Sequence, residues 1–594
     1  MGGFFSEGAA GFPYDEAMAA SVRAPDAGRD VARTAEFTPR AVLAGIGVGA
    51  VLAIGNVYMG LKTGWWDSGS ITAAVIGFGL LAPAGRRSGK PYSLLENNIT
   101  QTVAGSAAVM PATLGLLGGI PALELLGHRY PAWAIGSWGF ALALFGILMA
   151  VPMRQRFVVS EPLPFPSAIA TAEVIRAVHA SSDEARARTR ALVAGAAIAV
   201  VITWLRDGIP AIVPGTLWIP VELAGVSAES LTLGVAVSPM LVSVGMLVGA
   251  RSGFSLLGGS ILAWGIVAPA LVRSGIARAE FGSLVSWLLW PGVAVMVSSG
   301  LVGLATRWRS FAKALSDVSE LRAGSRERGG WVALFVVATI VVLLSWLVFG
   351  VRPAVGAVVV LVSVALVDVC VRTAGETDIA PLGSIGQLMQ LLLGLLVPGQ
   401  AQVNVAGASF AAGAGAQSAV TVNALKAGHV LGAPPRGQLR AQVLGAAAGL
   451  FVALAAYTFV RGAHGIGNAV LPAPAALSWK ALAELAEKGT ASMPEWAGTG
   501  CALGAGAGVL LSLLEQTKIA RFVPSPIALA AAFLVPASTG AAIGLGTLVW
   551  IVLSKRNPGA AERLVSSVAA GGIAGESLMG FVVAALMASG LLSG

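Results

Sequence analysis

Charged residues are scarce in this chain. Of its 594 residues only 11% are Asp, Glu, Lys or Arg, whereas a soluble protein carries about 25%. Hydrophobic residues make up 56% of the sequence, and the mean hydropathy is +0.81. The composition therefore excludes a soluble protein. It predicts an all-α, polytopic membrane protein, because the short alternating segments of an outer-membrane barrel are also missing.

Cysteine and histidine are scarce too. The two cysteines, Cys370 and Cys501, lie in apolar surroundings and provide no disulfide framework. The four histidines are scattered along the chain, so their spacing predicts no metal cage. We therefore predict neither a cofactor nor a bound metal ion.

Catalytic and nucleotide-binding motifs are missing as well. The chain has no His-Glu-x-x-His, no nucleophile elbow and no extramembrane stretch large enough for a catalytic domain. The segment 85–91 has the wrong spacing for a phosphate-binding loop, and no Ser or Thr follows Lys90. These absences argue against an ATP-driven pump and against an enzyme. A membrane-embedded enzyme is kept as a distant alternative.

Basic residues collect in the loops. They cluster after the second, fourth and eighth apolar spans, as expected for loops on the cytoplasmic side. This pattern explains the net charge of +9 without a nucleic-acid partner. The first 40 residues lack the apolar core of a signal peptide and are predicted to be a cytoplasmic tail. We expect a multi-pass protein of the cell inner (cytoplasmic) membrane.

Hydropathy predicts about 16 membrane spans, since each needs roughly 20 apolar residues. Candidate spans lie near 41–61, 69–84, 99–120, 132–152, 191–213, 230–249, 254–273, 283–305, 331–350, 353–371, 382–398, 401–425, 440–460, 497–514, 525–553 and 564–592. The segment 525–553 is too long for one helix and carries Pro536, so it is either two spans or one broken span. Some ways of counting the spans give an odd or even number that does not match the predicted sides of the loops. At least one segment is therefore expected to be re-entrant, entering and leaving the membrane on the same side.

The predicted organisation has four parts: a tail (1–40), an N-terminal transmembrane half (41–305), a basic cytoplasmic linker (306–330) and a C-terminal transmembrane half (331–594). Two short sequence matches within the chain suggest an internal repeat. Residues 61–64 recur at 425–428, and residues 166–170 recur at 524–528. Repeats with substrate bound at their interface are typical of secondary transporters. Chance similarity in a Gly- and Ala-rich chain is the alternative.

Polar residues inside the apolar spans fall in short clusters. Ionisable groups are costly at bilayer depth, so those present usually line a pathway or pair with one another. The first cluster runs from Asn56 through Tyr58 to Lys62 and contains glycines that can break a helix. Lys62 then meets a carboxylate of the substrate or of the protein; alternatively, it extends to the membrane interface.

The second cluster is Glu96, Asn97 and Gln101, which share a broad helical face at the start of the third span. Such a stripe suits a water-filled cavity. The alternative for Glu96 is helix capping, because the helix dipole favours a carboxylate at this end.

A third cluster begins at Glu161 and continues through three prolines to Ser167, which can cap the following helix. Glu173 lies within that helix. A purely structural loop is the alternative here.

Lys426 and Gln442 belong to a fourth region. Its small residues let helices approach closely, but its embedded amides need partners or a wet lumen. Glu576 is a lone carboxylate between glycines in the last span. Because desolvation favours the neutral form of a buried carboxyl group, Glu576 is a candidate for loading and releasing a proton. A static ion pair with Lys62 or Lys426 is the alternative.

These motifs resemble the oligopeptide transporter family, including its yellow stripe-like branch, from about residue 50 to 590. The matching stretches are Asn56-x-Tyr58-x-Gly60-Leu61-Lys62-Thr63-Gly64, Glu96-Asn97-Asn98, Gln101-Thr102, Pro164-Phe165-Pro166-Ser167, Ala170-Thr171-Ala172-Glu173, Gly375-Glu376-Thr377-Asp378-Ile379-x-Pro381, Lys426-x-Gly428, Pro434-Pro435-Arg436, Pro524-Ser525-Pro526 and Ala574-Gly575-Glu576. The resemblance implies about sixteen helices and proton-driven uptake of small peptides or peptide-like metal chelates. Prokaryotic members are the most similar, and the region 200–370 departs most from the family pattern.

The leading hypothesis is a proton-coupled secondary importer of oligopeptides; the rival substrate is a siderophore-like metal chelate. The residues expected to contact substrate are Asn56, Tyr58, Lys62, Glu96, Asn97, Gln101, Glu161, Lys426 and Gln442, and those expected to carry protons are Glu576 and Glu173. We expect these side chains to share one hydrated cavity. The sequence leaves open whether the chain forms a homodimer.

Overall fold

The computed structural model describes residues 36–64, 66–180, 182–208, 212–223, 225–306, 328–377 and 380–588. Most of them are helical. The helices up to the linker are α1 (Pro39–Thr63), α2 (Ser70–Arg87), α3 (Leu94–Ala108), α4 (Met110–Thr113), α5 (Gly119–Leu125), α6 (Ala132–Arg154), α7 (Pro166–Ala180), α8 (Ser182–Thr203), α9 (Pro239–Leu247), α10 (Gly249–Ser260), α11 (Ala268–Arg273) and α12 (Phe281–Thr306).

Ten further helices follow the linker. They are α13 (Arg328–Phe349), α14 (Pro353–Thr377), α15 (Leu382–Leu396), α16 (Ala401–Leu431), α17 (Pro435–His464), α18 (Pro474–Lys488), α19 (Ala497–Leu514), α20 (Pro526–Ala531), α21 (Ala537–Arg556) and α22 (Pro558–Ala588). Three π-helical segments extend or join helices, at Gln155–Ser160, Trp204–Gly208 and Ile261–Val267. Short 3₁₀ turns lie at Gly489–Ser492 and Ala520–Phe522.

Within the described residues, eleven helices are long and apolar enough to cross a membrane. This confirms the predicted all-α, polytopic class. Other predicted spans are shorter, broken or more polar than a simple transmembrane helix. The helix α16, for example, has 31 residues but carries a row of buried amides and hydroxyls.

Two predicted spans are broken. The segment 99–120 divides among α3, α4 and α5, where Gly115 adopts a left-handed conformation (φ +70°) that favours glycine. The segment 525–553 divides into α20 and α21, with Pro536 immediately before α21. This break confirms the expectation from Pro536.

The prediction of a span over 230–249 is wrong. Its first part is strand β4 (Gly234–Ala236), which pairs antiparallel with β1 (Thr216–Trp218), while β2 (Glu222–Leu223) pairs with β3 (Val226–Ser227). The helix α9 begins only at Pro239, where the hydroxyl of Ser238 accepts a hydrogen bond from Leu241 N–H. Apolar β-branched residues suit a strand as well as a helix, so a hydropathy window does not separate the two.

Small residues allow the helices to pack closely. At the contact between α8 and α22, a Cβ added to Gly195 would lie 2.3 Å from Val568 O. One added to Gly571 would lie 2.1 Å from Leu192 O, and one added to Gly575 would lie 2.4 Å from Ala196 O. Such backbone contact is how membrane helices associate through glycine. It brings the centre of α22, with Glu576, against the end of α8.

Helices from both sides of the linker share one core, which includes residues from Ile54 to Ile543. Most of the predicted tail (1–35) and of the predicted linker (307–327) lies outside the described residues. Ser167 was expected to cap a helix, but α7 already begins at Pro166, so Ser167 lies in its first turn. The internal repeat stays a prediction.

Candidate substrate and proton pathway

Two adjoining cavities lie where helices are interrupted. The first, of about 500 Å³, is lined mainly by α1, α2, α9 and α22. The second, of about 520 Å³, is lined mainly by α15, α16, α18 and the turn between α4 and α5. Both are bordered by Ser167 and by the loop residues Trp66, Asp67 and Ser68. The loop between α1 and α2 therefore separates the two spaces.

Asn56 holds this loop in place. Its side-chain amide donates to the carbonyl oxygens of Asp67 and Ala108, each at 2.7 Å, and its Oδ1 accepts from Asp67 N–H at 3.0 Å. Gly64 ends α1 with φ +79°, a left-handed cap that an L side chain rarely adopts. The amide of Asn56, predicted to contact substrate, thus binds backbone groups and shapes the wall of the first cavity.

Glu576 lies at the meeting point of four elements. Its carboxylate is fully buried. Arg206 Nη1 donates to Oε1 at 3.1 Å, Ser238 Oγ lies 2.8 and 2.9 Å from the two oxygens, and Met240 N–H donates to Oε2 at 2.8 Å. Lys62 Nζ lies 3.7 Å from Oε1. The carboxylate is therefore not a lone group. It has two cationic neighbours, one of which is Lys62, the ion-pair partner that the sequence analysis gave as the alternative.

Arg206 completes this cluster from the π-helical segment after α8. Its Nε donates to Asp207 Oδ1 at 2.6 Å, and its Nη1 also donates to the carbonyl oxygen of Val237 at 2.6 Å. Two acids, Glu576 and Asp207, thus face two bases, Arg206 and Lys62. Formal charges balance within the group, which lowers the cost of burying it. We call these four residues the Glu576 cluster.

Lys62 is the member of the cluster that precedes the second cavity's lining in the sequence. Its side chain is 15% exposed and that of Asp207 is 26% exposed, whereas those of Glu576 and Arg206 are 0% and 5% exposed, so solvent reaches the cluster at Lys62 and at Asp207. Lys62 Nζ also lies 5.2 Å from the ring centre of Tyr58, close enough for a cation–π contact. The next residues, Thr63 and Gly64, line the second cavity, while Ala574 of α22 lines the first.

Glu96 lies in a separate site. Arg40 reaches both of its oxygens, with Nε 2.8 Å from Oε1 and Nη2 2.7 Å from Oε2. Thr38 donates to Oε1 at 2.6 Å, and Glu96 forms a reciprocal capping box with Ser93. The capping alternative for Glu96 is therefore confirmed, and its hydrogen bonds with Thr38 and Arg40 tie α1 to the start of α3.

Asn97 and Gln101 are fully buried on α3. Asn97 Nδ2 lies 3.5 Å from His179 Nε2. Gln101 Nε2 contacts Asn98 Oδ1 at 3.0 Å, while Gln101 Oε1 and Asn98 Nδ2 have no hydrogen-bond partner among the described residues. Buried amides left partly unsatisfied are costly, which favours water or ligand beside this face of α3.

Gln442 belongs to a buried polar network. Its Oε1 lies 3.4 Å from Gln417 Nε2 and 3.3 Å from Thr421 Oγ1. Gln417 also contacts Ser106 and Thr113, so the network joins α3, α4, α16 and α17. Gln442 Nε2 has no partner within the described part of the chain.

The remaining predicted residues lie apart from the Glu576 cluster. Glu161 is half-buried, with one oxygen 4.0 Å from both Arg156 Nε and Arg372 Nη1. Glu173 is exposed on α7. Lys426 is buried near the end of α16. The predicted side chains therefore do not share one cavity: Asn56 lines the first cavity, whereas Lys62 and Glu576 contact each other but line neither cavity.

Across the described residues, no group of three or more His, Cys, Asp or Glu side chains is placed to hold a metal ion.

The family profile for OPT oligopeptide transporter proteins matches residues 36–587. The chain belongs to this family. It is a multi-pass membrane transporter rather than an enzyme, and both the fold and the buried polar sites agree with that assignment.

Three relatives illustrate where this OPT transporter stands. It is 23% identical to "Putative oligopeptide transporter YGL114W" of Saccharomyces cerevisiae, over 75% of this chain and 80% of the relative. It is 30% identical to "Putative oligopeptide transporter" of Haemophilus influenzae, over 42% of this chain and 38% of the relative. It is 24% identical to "Metal-nicotianamine transporter YSL1" of Arabidopsis thaliana, over 94% of this chain and 92% of the relative.

Two amides of the OPT transporter were not among the predicted site residues. Gln387 on α15 and Asn423 on α16 both line the second cavity. Gln387 is 95% buried and makes no hydrogen bond with a described residue, and Asn423 Oδ1 likewise has no partner there. The signal for Gln387 was present in the sequence: it and Gln390 are the two amides in the otherwise apolar stretch 385–396.

Arg206 and Asp207 were missed as well. They stand next to each other inside the apolar stretch 191–213, where charges are expensive. The high cost of burying charge in such a stretch was the signal that could have identified both residues. Their partner Glu576 lies in the last helix of the chain, so sequence spacing could not join them.

Proposed function

We propose that this OPT transporter is a proton-coupled importer of small peptides or of peptide-like metal chelates, located in the cytoplasmic membrane. The observation that supports this most strongly is the Glu576 cluster beside two cavities of about 500 and 520 Å³. Pockets of roughly 300–1,000 Å³ accommodate small organic ligands. Broken helices around a central site are typical of secondary transporters.

The lining of the cavities suits an amide-rich ligand. Among the described residues that line them, only Asp67 carries a formal charge. The rest are apolar residues, hydroxyls and amides, including Gln387, Asn423 and Ser478 of the second cavity. A peptide backbone needs such donors and acceptors when it leaves water. Asp67 supplies a negative group for the amine of a peptide or the positive centre of a complex.

The Glu576 cluster provides a way to couple substrate to protons. A substrate carboxylate that enters beside Thr63 competes with Glu576 for Lys62, the partly exposed cation of the cluster. Glu576 then has one cationic neighbour fewer, and a proton on its carboxylate can compensate for the lost positive charge. Binding of the substrate therefore favours binding of a proton, and release of either one favours release of the other.

A metal chelate is the second candidate for the substrate. The relatives that align with more than 90% of this chain include proteins named as metal-nicotianamine transporters. A chelate of this kind presents carboxylates and amine or amide groups much as a peptide does. The same cavity lining and the same competition for Lys62 therefore apply to it.

The test is uptake into proteoliposomes that contain the purified transporter. An inward proton gradient is imposed, and di- to pentapeptides are compared with ferric and nickel complexes of peptide-like chelators. We expect one class to accumulate above its external concentration, and a protonophore to abolish the accumulation. Uptake that needs ATP, or that is the same with and without the gradient, would reject the coupling.

A further inference from the structure

Large apolar side chains form much of the lining of the second cavity. Three of them are aromatic, namely Trp66, Phe165 and Trp479. Glycine and alanine occupy many of the other lining positions, so little side-chain bulk stands in front of the large groups. The cavity therefore combines an apolar surface with free space beside it, which is how sites for small organic ligands are usually built.

Glycine backbone holds the ring of Trp479 in place from two directions. A Cβ added to Gly386 of α15 would lie 2.5 Å from Trp479 Cζ2, a distance that requires the ring to move. Cβ atoms added to Gly118 and Gly119, at the start of α5, would lie 3.6 and 3.4 Å from the same ring. Trp479 is 6% exposed and lines the cavity. Its position on the cavity wall is therefore fixed by its neighbours.

A second apolar wall of the cavity lies beside its one formal charge. Trp66, Ala112, Leu382 and Val420 pack in one hydrophobic cluster, and all four line the cavity. Asp67, which follows Trp66 in the sequence, lines the cavity too. A peptide whose amine lies near Asp67 thus has an apolar surface next to it.

The polar groups with free hydrogen-bonding capacity in this cavity are neutral amides. Gln387 makes no hydrogen bond with a described residue, and Asn423 Oδ1 has no partner among them. A peptide unit offers one N–H donor and one carbonyl acceptor, which an amide side chain can pair with. Gln387 directly follows Gly386, the residue that packs on Trp479. An amide partner therefore adjoins the aromatic wall.

Peptides and metal chelates differ in what they would bring to this lining. Both carry polar groups that the amides can bind, but a peptide also brings side chains, and burial of a Leu or Phe side chain is favourable. A chelate with several carboxylates would bring negative charge to a cavity whose only formal charge among the described lining residues is that of Asp67. Burying such charge without a partner is costly.

We propose that the second cavity is a subsite for one large apolar side chain of a transported peptide, with Trp479 as one wall and Trp66, Leu382 and Val420 as another. This inference rests on the proposed function, and it selects a peptide over a metal chelate as the ligand. Gln387 and Asn423 bind the peptide unit beside that side chain.

The test measures binding by the full-length purified transporter in detergent, with no proton gradient. Isothermal titration calorimetry compares trialanine with tripeptides in which one residue at a time is replaced by Leu, Phe, Gln or Glu. At one position, Leu and Phe should lower Kd about tenfold relative to Ala, because their side chains bury more apolar surface. Gln and Glu should give no such gain at that position. The ferric complex of an aminopolycarboxylate chelator should bind about tenfold more weakly than the best peptide.

A cavity-filling variant tests which cavity is responsible. Ala475 of α18 lines the second cavity one turn before Trp479, so A475L occupies space beside the ring. It should remove the preference for Phe over Ala, while trialanine binds as it does to the wild type. The control is A502L, which adds the same side chain at an exposed position of α19 that lines neither cavity and should keep the preference.

The wild-type series is decisive even if A475L does not fold. Equal affinities for the Ala, Leu and Phe peptides at every position would overturn the subsite, as would a preference that persists in folded A475L. A chelate that binds as tightly as the best peptide would overturn the choice of ligand. Side-chain preference in binding without gradient-driven uptake would instead reject the proposed function, so the two failures are distinguishable.

Discussion

Lys62 and Glu576 lie near opposite ends of the chain, yet Lys62 Nζ is 3.7 Å from Glu576 Oε1. The contact lies between α1 and α22, which pack directly against each other. It also joins a partly exposed lysine to a fully buried carboxylate. The coupling that we propose depends on this one relationship.

Glu576→Gln should separate exchange from accumulation. The amide keeps the size of the side chain but cannot take up a proton. Accumulation in the presence of a proton gradient should therefore fall to the level measured without the gradient. Exchange of labelled for unlabelled substrate should persist. The measurement is uptake and counterflow in the same proteoliposomes, with E484Q, which alters a helix-surface pair with Lys480, as the matched control. Equal loss of both activities in E576Q would make Glu576 a structural residue.

Arg206→Met should destabilise the fold. The side chain of Arg206 is only 5% exposed, and its loss leaves the fully buried Glu576 and the partly exposed Asp207 with Lys62 as the remaining cation of the cluster. Removing one partner of a buried ion pair costs about 3–5 kcal/mol. The free energy of unfolding in detergent micelles measures the effect, and K62M, which removes a more exposed cation, should cost less. The double variant R206M/E576Q should lose less than the sum of its parts; additive losses would contradict the pairing.

Glu96→Gln should affect stability rather than substrate affinity. The carboxylate of Glu96 binds Arg40, Thr38 and the Ser93 backbone, and it lines neither cavity. We expect a loss of about 2–3 kcal/mol in unfolding free energy, because a charged hydrogen-bond partner is removed. The KM for uptake should be unchanged. A KM that rises with no change in stability would restore the earlier prediction that Glu96 contacts substrate.

Gln387→Leu should weaken substrate binding while the fold stays intact. Gln387 lines the second cavity and makes no hydrogen bond with the described residues, so its amide is available to the ligand. Loss of one such bond, worth about 1.4 kcal/mol, should raise KM roughly tenfold. The control is Q390L on the same helix. Gln390 bonds Asn404 Oδ1 and Trp479 O, so its loss should lower stability. An unchanged KM in Q387L would remove Gln387 from the site.

Local signals in the sequence predicted several features correctly. The scarcity of charge fixed the membrane class, Pro536 marked the break between α20 and α21, and Glu96 was recognised as a candidate cap. Each of these depends on residues within a few positions of one another. Helix capping, proline breaks and apolar runs are determined by local chemistry, so one sequence is sufficient to predict them.

The candidate site depends on contacts between distant segments. The sequence suggested Lys62 or Lys426 as a partner for Glu576, and the structure selects Lys62. It also adds Arg206, Asp207 and Ser238, which come from a region that departs from the family pattern. Their position depends on the close packing of α8 against α22 through Gly195, Gly571 and Gly575. The three glycines are visible in the sequence, but the pairing of those two helices is not.

The most direct test of the coupling is proton uptake on substrate binding. Purified transporter in weakly buffered detergent solution is mixed with a transported peptide or chelate, and a pH-sensitive dye reports the protons taken up. If the substrate carboxylate draws Lys62 away from Glu576, the wild type should bind about one proton per ligand, and E576Q should bind none. Ligand binding without proton uptake, or equal uptake by E576Q, would contradict the role of Glu576.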